Sequence, residues 1–503
     1  MAQVGIIDIG SNSMRLSVVA VLDGGAHYVV DEYKSSPRLA ASLAGTTGEL
    51  LPEGVAELLL HLREFADLCR AYRVDRTLVL GTAALRAATN RDEVLARVRD
   101  DLGLDVEVIS GREEAWLDYQ AVRHTMAVDT AYLVDIGGGS TEITLVDEGR
   151  VAASVSLPFG AVTLGAAWRD SQALVHGFRL PAEAEAALDA VEHLRLGPRA
   201  EVIGIGGTIR SIARVHQAAR RYPLPLTHNY RMAADEVEAL LRRIADTPMR
   251  ERRRLEGLSR DRADLIVPGG AMLLAVMRRA RAPHLRVSGR GIRDGALYAR
   301  ILGDGGEGRL PIVERSIESV LERFAGGRRH AGKVASLALA MFGEAATHGL
   351  LPLSARSVQL TAAMLHRVGV YVNYYGYDQH TFYLVLMSQL YGLSHEEVVV
   401  AALAASFKSR SAMRRLAAPV KALLSEADFV AAARMGVIAC LAEALDRRHE
   451  GRVESLAARL GSKTLELRLS LRMDSAVEIS AAESLAPHVM KNFGRSLRIS
   501  VEA

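Results

Sequence analysis

Two stretches of the chain repeat one pattern of apolar and polar positions: V-G-I-I-D-I-G-S-N-S-M-R-L-S-V-V from Val4, and Y-L-V-D-I-G-G-G-S-T-E-I-T-L-V from Tyr132. Each is a short apolar run, then Asp-Ile-Gly, a turn of small residues and a second apolar run. The runs have the length and β-branched content of strands, and the small residues permit a tight turn. A strand, turn, strand unit is therefore used twice. After the first copy the pattern predicts a helix near Val55 to Tyr72, a strand over Thr77 to Leu80, a helix near Arg91 to Asp101 and a strand over Val106 to Ile109. After the second, Glu201 to Ile205 runs into Gly206-Gly207-Thr208 and a helix, and a strand is expected over Leu285 to Ser288. Alternating strands and helices define an α/β layer, and two related halves account for the repeat.

Past Gly303-Asp304-Gly305-Gly306-Glu307-Gly308, which reads as a linker, the pattern changes. Residues 311–450 are rich in Ala and Leu at helical period, while T-L-E-L-R-L-S-L-R-M from Thr464 and Leu497-Arg-Ile-Ser-Val alternate like strands. The domains expected are 1–130, 131–305, a helical 311–450 and a small terminal α+β unit, 451–503. The 18 uncharged residues from Val151 to Trp168 raise the question of a membrane span, but Ser154, Ser156, Pro158, Gly160 and Gly165 dilute them too far.

With 503 residues, 49% hydrophobic and 24% charged, the chain has ordinary globular usage and material for several domains. A net charge of +3 spread over that length excludes wholesale attraction to nucleic acid or anionic lipid, so any anion site is local. Cys69 and Cys440 are its two cysteines, too few for a disulfide framework, and the first residues carry no basic signal region. A soluble cytoplasmic protein is expected.

The candidate chemistry lies at the turns. A carboxylate ending a buried strand beside a Gly/Ser turn can hold hydrated Mg²⁺, and the turn N–H groups can face phosphate oxygens. A single such Asp could equally accept hydrogen bonds from its own turn, but Asp8 and Asp135 in matching contexts suggest two loops facing across a cleft. Glu142, at the start of the returning strand, can approach the same ion as Asp135. Ser110 and Glu113 have capping-box spacing before a helix, which occupies Glu113 and leaves Glu114 available to accept a proton from water. Gly206-Gly207-Thr208 opens a helix where N–H groups can meet an anion, and Arg15, Arg38, Arg86 and Arg293 sit near turns or strand ends as possible phosphate clamps. The P-loop-like run from Gly327 to Val334 lacks the Ser/Thr that would bind magnesium and is discarded.

These residues resemble the exopolyphosphatase and guanosine pentaphosphate phosphohydrolase (Ppx/GppA) family of the actin, Hsp70 and sugar-kinase superfamily. The resemblance rests on D-I-G-S-N-S at Asp8 to Ser13, G-T-A-A-L-R at Gly81 to Arg86, I-S-G-R-E-E-A at Ile109 to Ala115, D-I-G-G-G-S-T-E at Asp135 to Glu142, G-G-T at Gly206 to Thr208 and V-S-G-R-G-I-R-D-G at Val287 to Gly295. It implies two ribonuclease-H-like domains with the active site between them, followed by an α-helical domain related to HD phosphohydrolases. It implies Glu114 as the base that activates water, and Mg²⁺ near Asp135 and Glu142 with Asp8 close by. The phosphates would lie on Ser11, Asn12, Ser13, Gly137, Gly138, Gly139, Ser140, Gly206, Gly207 and Thr208, with Arg15, Arg86 and Arg293. A monovalent cation and a homodimer through the C-terminal domains are further expectations from the resemblance.

Leu365-His366-Arg367 stands where an HD enzyme would have His-Asp, so a second metal-dependent centre is not expected there, and His366 and His380 read as packing or hydrogen-bonding residues. Arg328, Arg329, Lys333, Lys408, Arg410, Arg414 and Arg415 could instead help hold a long polyanion. The expected activity is Mg²⁺-dependent release of orthophosphate from the end of inorganic polyphosphate by direct attack of water. The alternative within the class is hydrolysis of the 5′-terminal phosphate of guanosine pentaphosphate. A non-hydrolytic or kinase-like nucleotide-binding protein shares the Asp-Ile-Gly turns but has no need of Glu113-Glu114.

Overall fold

The computed structural model describes the chain except residues 23–24, 44–46, 170–177, 304–310, 325–326 and 503. The expected linker, beyond Gly303, thus lies outside the described residues. The chain divides into two compact units, Met1–Arg309 and Leu310–Ala503.

In the first unit each half of the repeat nucleates a sheet. β1 (Ala2–Ile9), β2 (Met14–Val21) and β3 (His27–Ser35) form an antiparallel meander, and β4 (Arg76–Gly81) and β5 (Val106–Val108) add in parallel, giving the order β3-β2-β1-β4-β5. The second copy repeats this. β6 (Ala131–Ile136), β7 (Thr141–Asp147) and β8 (Arg150–Leu157) form the meander, β9 (Glu201–Ile205) and β11 (His284–Val287) follow in parallel, and β10 (Arg231–Ala233) adds an antiparallel edge. Both sheets are mixed α/β layers of the actin and sugar-kinase type. β1 and β6 are the central strands, which explains their near-continuous apolar runs.

The helices on these sheets bury one stripe each. Pro52–Ala71 packs Val55, Leu58, Leu62 and Phe65 under the first sheet, while Gly206–Ala219 and Ile266–Arg279 cover the second. Residues Ile292–Ala296 and Leu297–Leu302 return to the first sheet, where Ile292, Ala296 and Leu297 join Val4, Ile6, Leu80, Ile109 and Leu117 in one buried cluster. The uncharged run from Val151 divides into the edge strand β8 and the helix Ala161–Arg169. Among the described residues no helix is long and apolar enough to cross a membrane.

The second unit is mainly helical. Arg328–Thr347, Arg356–Met364, His395–Ala405 and Glu426–Ala444 form its centre, around buried Phe342, Phe407 and Met435. Its sheet has the order β12-β13-β14, with β13 (Thr464–Leu471) and β14 (Ser496–Val501) parallel. β12 (Val453–Leu460), antiparallel to β13, was not anticipated, because V-E-S-L-A-A-R-L has alanines where an alternating strand has larger apolar residues.

Candidate active site

The two Asp-Ile-Gly turns face each other. A methyl group placed on Gly138 would lie 3.0 Å from Ser11 Cβ and 3.2 Å from the Asn12 amide nitrogen, and one on Gly139 would lie 2.8 Å from Ser11 Oγ. Only glycine allows the loops to approach this closely. The register fixes the acids behind them: Asp8 pairs across β1 and β2 with Arg15, and Asp135 pairs across β6 and β7 with Glu142. Asp135 also lies beside Ile205 of β9, so the helix beginning at Gly206 opens against its carboxylate. Gly206 has φ +85°, and a methyl group there would come within 2.2 Å of Asp135 Oδ1.

The helix Gly111–Arg123 supplies the third side. Ser110 Oγ accepts a hydrogen bond from the Glu113 amide at 3.1 Å, the cap that the spacing predicts. The Glu113 carboxylate does not complete the expected box; it pairs instead with Arg300, which also holds Glu107. A nearby guanidinium is the stronger partner for an ionised carboxylate. Glu114 points the other way and is 7% exposed, and Arg86 Nη1 donates to its Oε2 at 3.0 Å and to the Ile109 carbonyl at 2.9 Å. Four residues on, one helical turn away, Asp118 is buried on the same side.

Glu114, Asp118, Asp135 and Glu142 therefore form one group of carboxyls with Asp8 nearby. Burial pushes Glu142 up to about 7, helped by the charge of Asp135, although Ser156 Oγ donates to its Oε1 at 2.7 Å. Burial likewise raises Asp8 to about 6, against the pull of Arg293 and Arg15. Glu114 is raised by burial and then by Glu142, and Asp118 by burial and then by Asp135. Such crowding is unfavourable unless protons or a cation relieve it.

Among the described residues no three His, Cys, Asp or Glu side chains form a ready-made metal cluster. The donor chemistry nevertheless fits a hydrated divalent ion held by few protein ligands. Asp135 Oδ1, Glu142 Oε2 and both oxygens of Asp118 are buried with no hydrogen-bond donor. Asp118 in its protonated form can donate to Asp135. Asp135 and Glu142 are thus the pair suited to such an ion, with Asp8 across the turn.

Cations face these acids. Arg15, Arg210, Arg262 and Arg293 lie within electrostatic range of one another and of Asp8 or Asp135. Burial and the like charge of Arg15 lower Arg210 to about 9 and Arg262 to about 10. The Arg262 guanidinium covers Gly207, and Arg210 Nη1 donates to the Gly289 carbonyl at 3.3 Å. Thr208 is buried with its hydroxyl unpartnered, and Ser140 is buried close enough to Glu142 to lower its pKa. Guanidiniums crowded together around half-buried glycine turns create a strongly anion-attracting pocket.

Not every expected clamp is free. Arg86 is committed to Glu114, Arg293 pairs with Glu32 at 2.9 Å and bonds Ser17, and Arg38 pairs with Asp264 at 3.1 Å. Asp118, Arg210 and Arg262 were missed in the sequence. Asp118 was signalled by its i+4 spacing from Glu114 and Arg210 by its place one turn into the Gly206 helix, whereas Arg262 ends a single 3₁₀ turn, Arg260–Arg262, with no local signature. In the second unit, Arg328 pairs with Glu318 and Glu322, Lys333 bonds the Glu454 carbonyl, Arg410 bonds Asn492 and Arg414 lies over Phe429. His366 Nδ1 donates to the Ala405 carbonyl, which fits its reading as a hydrogen-bonding residue.

Two like sheets with facing glycine turns and an acid group between them define a phosphate-handling protein of the actin and sugar-kinase type. Residues 17–303 match the model of the Ppx/GppA phosphatase family, and residues 312–482 match Ppx/GppA phosphatase, domain III. The chain belongs to the Ppx/GppA phosphatase family. It is 29% identical over 404 residues to a guanosine-5′-triphosphate,3′-diphosphate pyrophosphatase of Photobacterium profundum, covering 78% of this chain and 77% of that one. The solved structure of the Aquifex aeolicus family member is 27% identical, with a TM-score of 0.51 over 60% of this chain and 98% of its own. An exopolyphosphatase from Cytophaga hutchinsonii shares the fold at 22% identity, TM-score 0.53, over 60% of this chain and 99% of its own.

Proposed function

We propose that the protein hydrolyses the terminal phosphoanhydride of a polyphosphate chain, with inorganic polyphosphate as its substrate, Mg²⁺ as its cofactor and Glu114 as general base. The observation that carries this reading is Glu114, buried and oriented by Arg86, beside Asp135 and Glu142 at the mouth of two glycine turns. The turn amides, Thr208 and the arginines bind the terminal phosphates. Asp135 and Glu142 would hold the cation, which supplies charge neutralisation on the transferring group. Glu114 takes a proton from water as its oxygen bonds to the terminal phosphorus, the bridging P–O bond breaks, and the shortened chain departs with the bridging oxygen. No covalent enzyme intermediate is required.

Guanosine pentaphosphate is the second reading, favoured by the name of the Photobacterium profundum relative. Orthophosphate release from each substrate at equal phosphate concentration separates the two, and a clear preference for the nucleotide overturns the first. A kinase-like reading predicts phosphate transfer to an acceptor that survives Glu114→Gln. No such transfer is expected.

A further inference from the structure

The helix Ala161–Arg169 begins against the second glycine turn. The first amides of an α-helix have no partner within it. Here Ala161 N–H donates to the Gly137 carbonyl and Val162 N–H to the Gly138 carbonyl, each at 2.9 Å, and Thr163 N–H is also directed at the Gly138 carbonyl at 3.4 Å. Gly160, just ahead of the helix, lies so close to the turn that a methyl group on it would stand 2.4 Å from the Gly138 carbonyl carbon and 2.6 Å from the Gly139 nitrogen. Two hydroxyls fix this approach. Thr141 Oγ1, from β7, donates to the Phe159 carbonyl at 2.6 Å. Thr163 Oγ1 accepts from the Gly160 amide at 2.8 Å and donates to the Gly160 carbonyl at 3.1 Å.

A trans peptide holds its C=O and the following N–H on opposite sides. Among the described residues no peptide bond is cis, so the Gly137 and Gly138 carbonyls, turned to the helix, direct the Gly138 and Gly139 N–H groups away from it. The positive end of the helix macrodipole thus meets the carbonyl ends of two peptide dipoles, whose amide ends carry the positive potential onward. Hydrogen bonds in such a chain polarise one another. The first turn has no α-helix behind it. Its Ser11 and Asn12 carbonyls accept from Ala40 at 2.9 Å and Arg38 at 3.2 Å, within and just before a single 3₁₀ turn, Leu39–Ser42. We propose that Gly160 and Thr163 are positioning residues for phosphate binding, and that the helix they begin relays its positive end through the two glycine peptides to the terminal phosphate of the substrate. The proposal rests on the hydrolytic reading and deepens it, by naming the element that aims the amides of the turn.

The test is calorimetric titration of tripolyphosphate, with Mg²⁺, into the full chain carrying Glu114→Gln, which should bind without turnover. Adding Gly160→Ala forces the Gly138–Gly139 peptide to move and should weaken binding by about tenfold or more. Adding Thr163→Val keeps the branched bulk but removes the acceptor of the Gly160 amide, and should weaken binding by about three- to tenfold. Thr163→Ser keeps the hydroxyl and should bind within about twofold of the Glu114→Gln chain. A purely structural role would lower the melting temperature of the Thr163→Val chain while leaving its dissociation constant equal to that of Thr163→Ser, and that result overturns the proposal. Should Gly160→Ala fail to fold by circular dichroism, the two Thr163 variants decide the matter by the same comparison. Absence of tripolyphosphate binding by the Glu114→Gln chain itself would overturn the hydrolytic reading and this proposal with it, whereas equal binding by all the chains overturns the proposal alone.

Discussion

Burial raises the proton affinity of Glu114, and Arg86 opposes the rise while fixing the carboxylate's direction. A base in this setting works only when ionised, so activity should increase with pH through its raised titration. Glu114→Gln keeps the shape and the Arg86 contact but cannot accept the proton. Turnover should drop by about 10²–10⁴-fold with tripolyphosphate affinity and melting temperature nearly unchanged; a drop under threefold would show the base to be another residue. Asp118 offers a contrast. Burial and then Asp135 push its carboxyl well above the usual carboxylate range, which favours the neutral form, and Asn is close to isosteric with that form. Asp118→Asn should therefore retain most activity, whereas Asp135→Asn should raise the Mg²⁺ concentration needed for half-maximal rate or abolish activity. Equal losses in the two variants would contradict these different roles.

At the level of elements, the repeated hairpins and the helix over Gly111–Arg123 place Asp135, Glu114 and Asp118, the short helix Ala83–Ala87 carries Arg86, and the helix over Gly206–Ala219 opens against Asp135. Gly206 ties two of them together, because its positive φ and its contact with Asp135 exclude a side chain. Gly206→Ala should lower kcat by an order of magnitude or more with little loss of overall fold by circular dichroism, and normal kcat would show the contact to be dispensable. Ser110→Ala removes the cap ahead of Glu114 and should cost about 1 kcal/mol in urea unfolding. The hairpins were legible because Asp-Ile-Gly and the small residues after it leave the chain few options, and the capping serine was legible from spacing. The rest depends on packing between distant segments. The diversion of Glu113 to Arg300, the pairing of Arg293 with Glu32 and the lid of Arg262 over Gly207 join residues more than fifty positions apart, which periodicity does not encode. Edge strands β3 and β12 escaped for a different reason: their polar or alanine-rich faces lack the alternation that marks a half-buried strand.

For the molecule as a whole, the acid group makes stability depend on pH and on cations together. Asp8 at about 6 and Glu142 at about 7 in the fold compare with ordinary values of 3.8 and 4.5. The native form thus binds more protons than the unfolded chain, so this contribution to stability is complete below about pH 4 and is lost as the pH rises through about 7. A cation on Asp135 and Glu142 would relieve the same repulsion. Mg²⁺ should raise the melting temperature more at about pH 8 than at about pH 5.5, and an equal shift at both would argue against carboxylate ligands.

The most direct test of the central claim is orthophosphate release from long-chain polyphosphate by the unaltered protein and by Glu114→Gln, each with Mg²⁺ and with EDTA. Release is expected only from the unaltered protein with Mg²⁺. Comparable release by Glu114→Gln, or release undiminished in EDTA, would contradict it.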